Sequence, residues 1–264
     1  MITNKQVKEL VTWNRKSKAR KEDGVFLVEG SKMFLEADNK RIRSIYVSET
    51  FFANDECKKK MDEIGYETVP DDTFKKISDT MTPQGILCVM DRLEYTLEDL
   101  LVIENPVLMV LEDLQDPGNL GTIMRTAEGA GIDGVILSKG SVDIYNPKTI
   151  RSTMGSLYRI PFLYVEDLEQ TIVDLKAKGI TFYAAHLKGE RYYDEFDYTK
   201  EGGCAFLIGN EGNGLKDDTA DLADTYLKIP MEGRLESLNA AVASSILMYE
   251  VYRQKRKNES ARNR

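Results

Sequence analysis

The chain has 264 residues, 42% of them hydrophobic and 30% charged, with a net charge of −8. Its length suggests about two domains at roughly 150 residues each, and its composition is that of a globular protein able to bury a core. No apolar run approaches the roughly 20 residues of a membrane span, and the opening "MITNKQVKEL" lacks the apolar stretch of a signal peptide, so a cytoplasmic location is expected. Cys57, Cys88 and Cys204 are scattered and odd in number, which reads as reduced core thiols. His186 is the only histidine, and no Cys/His cluster exists. A zinc site, a Ser-His-Asp triad and most histidine-based acid–base chemistry are therefore argued against, and no metal is expected.

The first half alternates in period. "NKQVKELVTWNRKSKARK" reads as a helix and "VFLVEG" as a strand. "SKMFLEADN" reads as a helix with Ser31 as N-cap, followed by the strand "IRSIYVS". "NDECKKKMDEIG" is a helix, "YETVP" a strand, "DDTFKKISD" a helix and "QGILCVM" a strand. This predicts a small α/β/α unit over residues 1–92, with a linker at 93–105 and a second domain at 106–264. The net charge is acidic, yet residues 1–21 carry Lys5, Lys8, Arg15, Lys16, Lys18, Arg20 and Lys21 against Glu9 alone. With Trp13 among them, this segment reads as an arm that contacts phosphates. The basic end "RQKRKNESARNR" reads as a solvated tail.

The second half offers the strands "VLMVLED", "GVILS", "FLYV", "ITFYAAH", "CAFLIG" and "TYLKIP". Between them lie the helices "NLGTIMRTAEGA", "PKTIRSTMGSLYR" and "LEQTIVDLKAKG", a short one near "DDTADLA", and a long last one, "SLNAAVASSILMYEVYRQKRK". Strands separated by helices predict a parallel sheet covered on both faces. "GAGIDG" at 129–134 fits the dinucleotide fingerprint in letters only. A nicotinamide site needs those glycines after a strand and at the opening of a helix, whereas here a helix precedes and a strand follows. They read as a helix end.

Ligands of open parallel sheets sit beyond the carboxyl ends of the strands. Three such ends carry unusual loops. In "LEDLQDPGNLGTIMRTA", Pro117 and Gly118 turn the chain, Asn119 is placed to cap a helix, and Arg125 follows in its second turn. In "LIGNEGNGL", Gly209, Gly212 and Gly214 permit close approach of backbone to a ligand, with Glu211 held among them. In "IPMEGRLESLNAAVASSI", Ile229, Pro230 and Met231 end a strand, Ser237 is placed to cap the long helix, and Asn239 lies in its first turn.

Through "NLGTIMRTA", "RSTMGSLYRIP", "GNEGNGL" and "IPMEGRLESLNAAVA", the chain resembles the SpoU/TrmH family of the SPOUT superfamily, S-adenosylmethionine-dependent RNA ribose 2′-O-methyltransferases. The first half is similar to the substrate-binding domain often found ahead of that catalytic domain, through "RKSKARKEDGVFLVEGSKMFLEA" and "TPQGILCVM". The resemblance implies an α/β fold: an L30e-like α/β/α domain, then a SPOUT domain with a parallel sheet, helices on both faces and a deep trefoil knot. It implies a homodimer through the catalytic domain, with Ile246, Leu247, Tyr249 and Val251 as contacts or, equally, as core.

By the same resemblance, Gly209, Asn210, Gly214, Ile229, Met231 and Leu238 would hold S-adenosylmethionine. Arg125 would be the central catalytic residue, with Asn119, Glu211, Ser237 and Asn239 completing the site. A guanidinium stays charged in proteins, so a phosphate clamp suits Arg125 better than a base. Lys16, Lys18, Arg20, Arg151 and Ser152 would meet RNA, with 23S ribosomal RNA favoured over transfer RNA. The alternatives are a transfer RNA ribose methyltransferase, a non-catalytic RNA-binding protein of the same fold, a base-methylating SPOUT enzyme, and a nicotinamide-dependent oxidoreductase.

Overall fold

The computed structural model describes residues 2–235 and 237–262. Two units form, Met1–Leu93 with Asp143–Tyr158, and Glu94–Val142 with Arg159–Arg264.

The first unit runs α1 (Asn4–Arg15), α2 (Ser17–Asp23), β1 (Val25–Glu29), α3 (Ser31–Glu36), β2 (Ile42–Ser48), α4 (Asp55–Ile64), β3 (Glu67–Val69), α5 (Asp71–Ile77) and β4 (Ile86–Asp91). Its sheet has the order β1-β4-β2-β3, with β4 antiparallel to both neighbours and β2 parallel to β3. Leu10, Leu27, Phe74, Ile77 and Val89 form a core beneath it.

The basic N-terminal stretch is two helices rather than one. Lys16 takes an extended conformation (φ −121°) between them. Arg20, expected on the RNA surface, is 3% exposed and holds this bend instead. Its guanidinium donates to the carbonyls of Trp13 (2.5 Å) and Asn14 (3.3 Å), both in the last turn of α1, and to Asp143 Oδ2 (2.6 Å). A helix end leaves carbonyls without intrahelical donors, and a buried guanidinium satisfies them. Arg20 is therefore removed from the set of surface cations. Its replacement by alanine is expected to cost about 3 kcal/mol, because Asp143 loses its cation and the carbonyls of Trp13 and Asn14 lose a donor. Urea unfolding of Arg20→Ala checks this, and an unchanged midpoint would contradict it. Trp13 also has an internal task, donating Nε1–H to Asp23 (2.6 Å) while its ring packs against the core. Ser31 does not cap α3: it is the helix's first residue, and Gly30 at φ 105° turns the chain into it.

The second unit continues with α6 (Leu97–Leu100), β5 (Val107–Leu111), α7 (Pro117–Ala130) and β6 (Gly134–Ser138). The chain then visits the first unit through α8 (Pro147–Thr153). It returns for β7 (Phe162–Val165), α9 (Leu168–Ala177), β8 (Thr181–Ala185), β9 (Arg191–Tyr192), β10 (Cys204–Ile208), α10 (Asp217–Ala220), β11 (Thr225–Lys228) and α11 (Ala240–Arg262). The seven strands pair in parallel in the order β7-β6-β5-β10-β8-β11-β9. Every residue of β5, β6 and β10 is buried, as expected of strands covered on both faces. The stretch read as a linker is partly structural, since Leu100 is buried in this unit's core and Leu97 and Leu101 pack against it. Gly131 at φ 67° ends α7, so "GAGIDG" closes a helix and opens a strand.

The 143–158 excursion is anchored to the first unit at four points. Asp143 meets Arg20. The Tyr145 ring lies 4.8 Å from that of Phe26, and its hydroxyl accepts from Leu93 N (2.8 Å). Arg151 pairs with Asp79 (3.0 Å), and the Tyr158 hydroxyl donates to the Met33 carbonyl (3.2 Å). The helix predicted across this segment stops at Thr153, because Met154 takes a left-handed conformation at φ 54°.

Candidate active site

In the strand order β5-β10-β8-β11, the loops that follow these strands emerge side by side. A cleft of about 350 Å³ opens among them. Its walls include Ala185 at the end of β8 and His186 after it, Gly209, Asn210, Glu211 and Gly214 after β10, Ile229 and Met231 after β11, and Ser237 and Leu238 before α11. All six residues expected to hold the cofactor, together with Ser237 and Glu211, therefore line one cavity. Lys228 also lines it, with its ammonium 5.2 Å from the centre of the Tyr192 ring. The volume and the apolar side chains of Leu227, Ile229, Met231 and Leu238 suit an adenosine-sized ligand, and the surrounding loop backbone offers polar groups.

The 209–215 loop is folded back on itself. Asn210 N donates to Gly214 O (3.0 Å) and Gly214 N to Asn210 O (2.9 Å). The Asn210 side chain donates to Asp113 O (2.8 Å) and accepts from Gly212 N (2.8 Å) and Asn213 N (3.1 Å). It thereby fixes this loop to the end of β5.

A polar chain then ties three loops together. Glu211 accepts from the backbone N–H of Gln115 (3.0 Å) and Asp116 (2.9 Å), and from the Asn119 amide (2.9 Å). The Asn119 carbonyl oxygen accepts in turn from the Asn239 amide (3.0 Å). Asn239 Oδ1 caps α11 through Ala241 N (2.9 Å) and Val242 N (3.3 Å). Two expectations about caps are corrected here. Asp116, not Asn119, caps α7, because Pro117 occupies the first helical position; Asn239, not Ser237, caps α11. Asn119 is thus free to join the chain to Glu211, and Asn239 reaches it through the amide nitrogen that the cap does not use.

Partial burial favours the neutral form of Glu211, but the hydrogen bonds from Asn119, Gln115 and Asp116 outweigh it and hold its carboxyl below the ordinary glutamate value. The acid is thus stronger in the folded than in the unfolded chain. Its contribution to stability is complete above the unfolded pKa, about 4.3, and is lost as pH falls through the lower folded value. Glu211→Gln is expected to be less stable than the parent at pH 7 by no more than about 1 kcal/mol, since the exposed carboxylate is screened by water. Urea unfolding at decreasing pH should show that deficit vanish under acid, and a deficit independent of pH would contradict the assignment.

Arg125 is exposed on α7 and lines no part of the cleft. Among the described residues its guanidinium has no hydrogen-bond or ion-pair partner, so its donors face solvent. In the first unit, Lys16 and Lys18 are exposed, and Lys18 pairs only loosely with Glu22 (3.7 Å). Arg151 is partly committed to Asp79, and the Ser152 hydroxyl donates back to the Lys148 carbonyl (2.9 Å). On α11, Leu247 and Val251 are core; Ile246 is half-buried, and Tyr249 is 49% exposed.

Sequence reasoning missed Glu112 and Asp113. Buried Glu112 accepts from Lys216 N (2.8 Å) and the Thr219 hydroxyl (2.5 Å), anchoring the far side of the 209–215 loop. Asp113 sits at φ 50° and accepts from Lys216 Nζ (2.6 Å) and the Ser138 hydroxyl (2.8 Å). The available signal was the acidic pair itself, placed where a buried parallel strand ends. Among the described residues no group of three His, Cys, Asp or Glu side chains is arranged to hold a metal ion. The three cysteines are buried free thiols.

Residues 106–249 match the SpoU rRNA Methylase family, and residues 4–88 match an MRM3-like substrate binding domain. The chain belongs to the SpoU rRNA methylase family. A Bacillus subtilis (strain 168) relative, 23S rRNA (guanosine(2553)-2'-O)-methyltransferase RlmP, is 34% identical over 251 residues, covering 94% of this chain and 96% of that one. The crystal structure of the SpoU methyltransferase AviRb from Streptomyces viridochromogenes, in complex with AdoMet, superposes with a TM-score of 0.86 at 25% identity. It covers 96% of this chain and 98% of its own. An AdoMet-bound rRNA methyltransferase from Sinorhizobium meliloti gives a TM-score of 0.85 at 30% identity, covering 96% of each chain. For this SpoU-family chain, the oxidoreductase reading of "GAGIDG" is set aside.

Proposed function

We propose that this chain is an S-adenosylmethionine-dependent RNA methyltransferase that methylates a ribose 2′-hydroxyl in 23S ribosomal RNA. The observation that carries the reading is the convergence of Gly209, Ile229, Met231 and Leu238 on one cleft beside the Glu211–Asn119–Asn239 chain. The relative's guanosine 2553 names the first nucleotide to examine.

S-adenosylmethionine supplies a methyl group already activated on a sulfonium. The protein's task is then to align the ribose hydroxyl and to manage its proton. Arg125 is assigned the phosphate beside the reacting ribose and the negative charge that develops on its oxygen, because its five donors are uncommitted and a guanidinium stays charged. The proton leaves to phosphate or water. Asn119, Glu211 and Asn239 are positioning residues, since their side chains are spent on one another and on helix ends. Ser237, exposed on the cleft wall, keeps its hydroxyl for substrate or cofactor.

Exposed Lys16 and Lys18, with Arg151 and Ser152, are assigned to RNA. A homodimer through the catalytic domain is part of the proposal, supported by Val242, Tyr249 and Tyr252, which α11 leaves exposed along one stripe. The deep knot is also part of it, supported by the shared cleft of the loops after β10 and before α11. A cytoplasmic location fits a ribosomal RNA substrate and buried free thiols; no described helix is long and apolar enough to cross a membrane.

The test is transfer of labelled methyl from S-adenosylmethionine to unmodified 23S ribosomal RNA and, separately, to transfer RNA. Label in ribosomal RNA alone is the expected result. Label in transfer RNA alone would replace the substrate class, and measurable cofactor binding with transfer to neither would point to a ribosomal particle as substrate.

A further inference from the structure

His186 is the only histidine of the chain, and it stands on the cleft wall. Its ring is held from two sides. One face stacks on Tyr226, with ring centres 5.2 Å apart and planes 29° from parallel. Its Nδ1 accepts the backbone N–H of Lys188 (3.2 Å). A neutral imidazole has one donor and one acceptor nitrogen, so an Nδ1 that accepts leaves the proton on Nε2. Among the described residues Nε2–H has no protein acceptor. Beside it the lining includes apolar Ala185, Ile229 and Leu227, whose carbonyl accepts the His186 N–H (3.0 Å), while the ammonium of neighbouring Lys228 lies over the Tyr192 ring; this side of the cleft fits the adenosine half of a ligand better than a charged amino-acid half. A donor fixed in direction and set in such a wall is the arrangement that orients a ligand within an apolar pocket.

We propose that His186 is a cofactor-binding residue of this chain, donating its Nε2–H to an acceptor on the adenosine half of S-adenosylmethionine. The proposal rests on the cleft being the cofactor site. It makes the imidazole a directional contact held by Tyr226 and Lys188, beside the apolar surface of Ala185, Leu227 and Ile229.

Because the chain has one histidine, its imidazole ¹⁵N signals are unique and need no assignment by mutation. The first readout is therefore the ¹⁵N spectrum of the unmutated protein during titration with S-adenosylhomocysteine, with saturation established by calorimetry. The expected result is a proton on Nε2 before titration and a shifted Nε2–H signal at saturation. An unmoved imidazole signal at saturation would overturn the proposal while leaving the cofactor site intact. No calorimetric binding of either S-adenosylmethionine or S-adenosylhomocysteine would overturn both.

The second readout uses two ligands and two variants. His186→Phe keeps a ring against Tyr226 and removes the donor; His186→Gln keeps a donor and removes the ring. His186→Phe is expected to weaken S-adenosylhomocysteine about fivefold to tenfold, the effect of one lost hydrogen bond, with His186→Gln closer to the parent. The same factor is expected for 5′-methylthioadenosine, which has no amino-acid half. Full affinity in His186→Phe, or a loss confined to S-adenosylhomocysteine, would overturn the assignment.

Discussion

Replacing Arg125 with alanine is expected to lower single-turnover methyl transfer by about 10²–10³-fold, the effect of removing one preorganised donor from a developing charge. Cofactor affinity and unfolding midpoint should stay where they are. Both halves of that expectation follow from the position of the side chain. Arg125 is exposed, lines no part of the cleft and has no partner among the described residues, so its loss leaves no protein group unsatisfied. Surface replacements of this kind change stability by about 0.5 kcal/mol or less. Arg125→Lys should recover only part of the rate, because an ammonium restores the charge but not the fork of donors that matches a phosphate. A normal rate in Arg125→Ala would remove the phosphate-clamp role. A large loss of cofactor affinity in the same variant would move Arg125 into the cofactor site.

Gly209→Ala is expected to weaken S-adenosylmethionine binding by about 10- to 100-fold. A Cβ at this position would lie 2.1 Å from both Gly214 C and Leu215 N, which are backbone atoms and cannot rotate away. The clash falls within the two reciprocal hydrogen bonds between Asn210 and Gly214, so the loop must open to admit the methyl. Overpacking of this sort costs about 1–3 kcal/mol, about one to two decades in affinity where the strained loop is also the binding wall. Calorimetric titration checks this. Gly233→Ala, where an added Cβ meets nothing within 4 Å, is the control and should bind normally. Parental affinity in Gly209→Ala would mean that the loop is not part of the site.

The alternation of helices and strands was legible because each half repeats a simple period. The three site loops were legible because polar and glycine-rich stretches follow buried strands. What escaped was decided by competition between neighbours or by distant contacts. Asp116 and Asn119 can both cap a helix, and the deciding residue is Pro117, whose missing N–H and fixed φ favour the first helical position. Ser237 and Asn239 present the same rivalry, and the amide wins because it caps α11 through Oδ1 while its nitrogen reaches Asn119. Arg20 looked like one more surface cation among seven. Its burial depends on Asp143, which lies 123 residues away in sequence. The same range separates Tyr145 from Phe26 and Tyr158 from Met33, so no local pattern could show that 143–158 belongs with the first unit. His186 was read only for the chemistry that one histidine excludes. Its place on the cleft wall appears once β8 and β11 are paired.

Mapping the methyl group tests ribose methylation most directly. Ribosomal RNA from cells lacking this chain, treated with the purified protein and S-adenosylmethionine, should acquire one phosphodiester that resists alkaline cleavage, because a methylated 2′-oxygen cannot attack the adjacent phosphate. That bond is expected in 23S RNA, and its alkali resistance is expected to be absent when Arg125→Ala replaces the parent protein. Methyl incorporation with every linkage still open to alkali would place the methyl on a base and contradict ribose methylation.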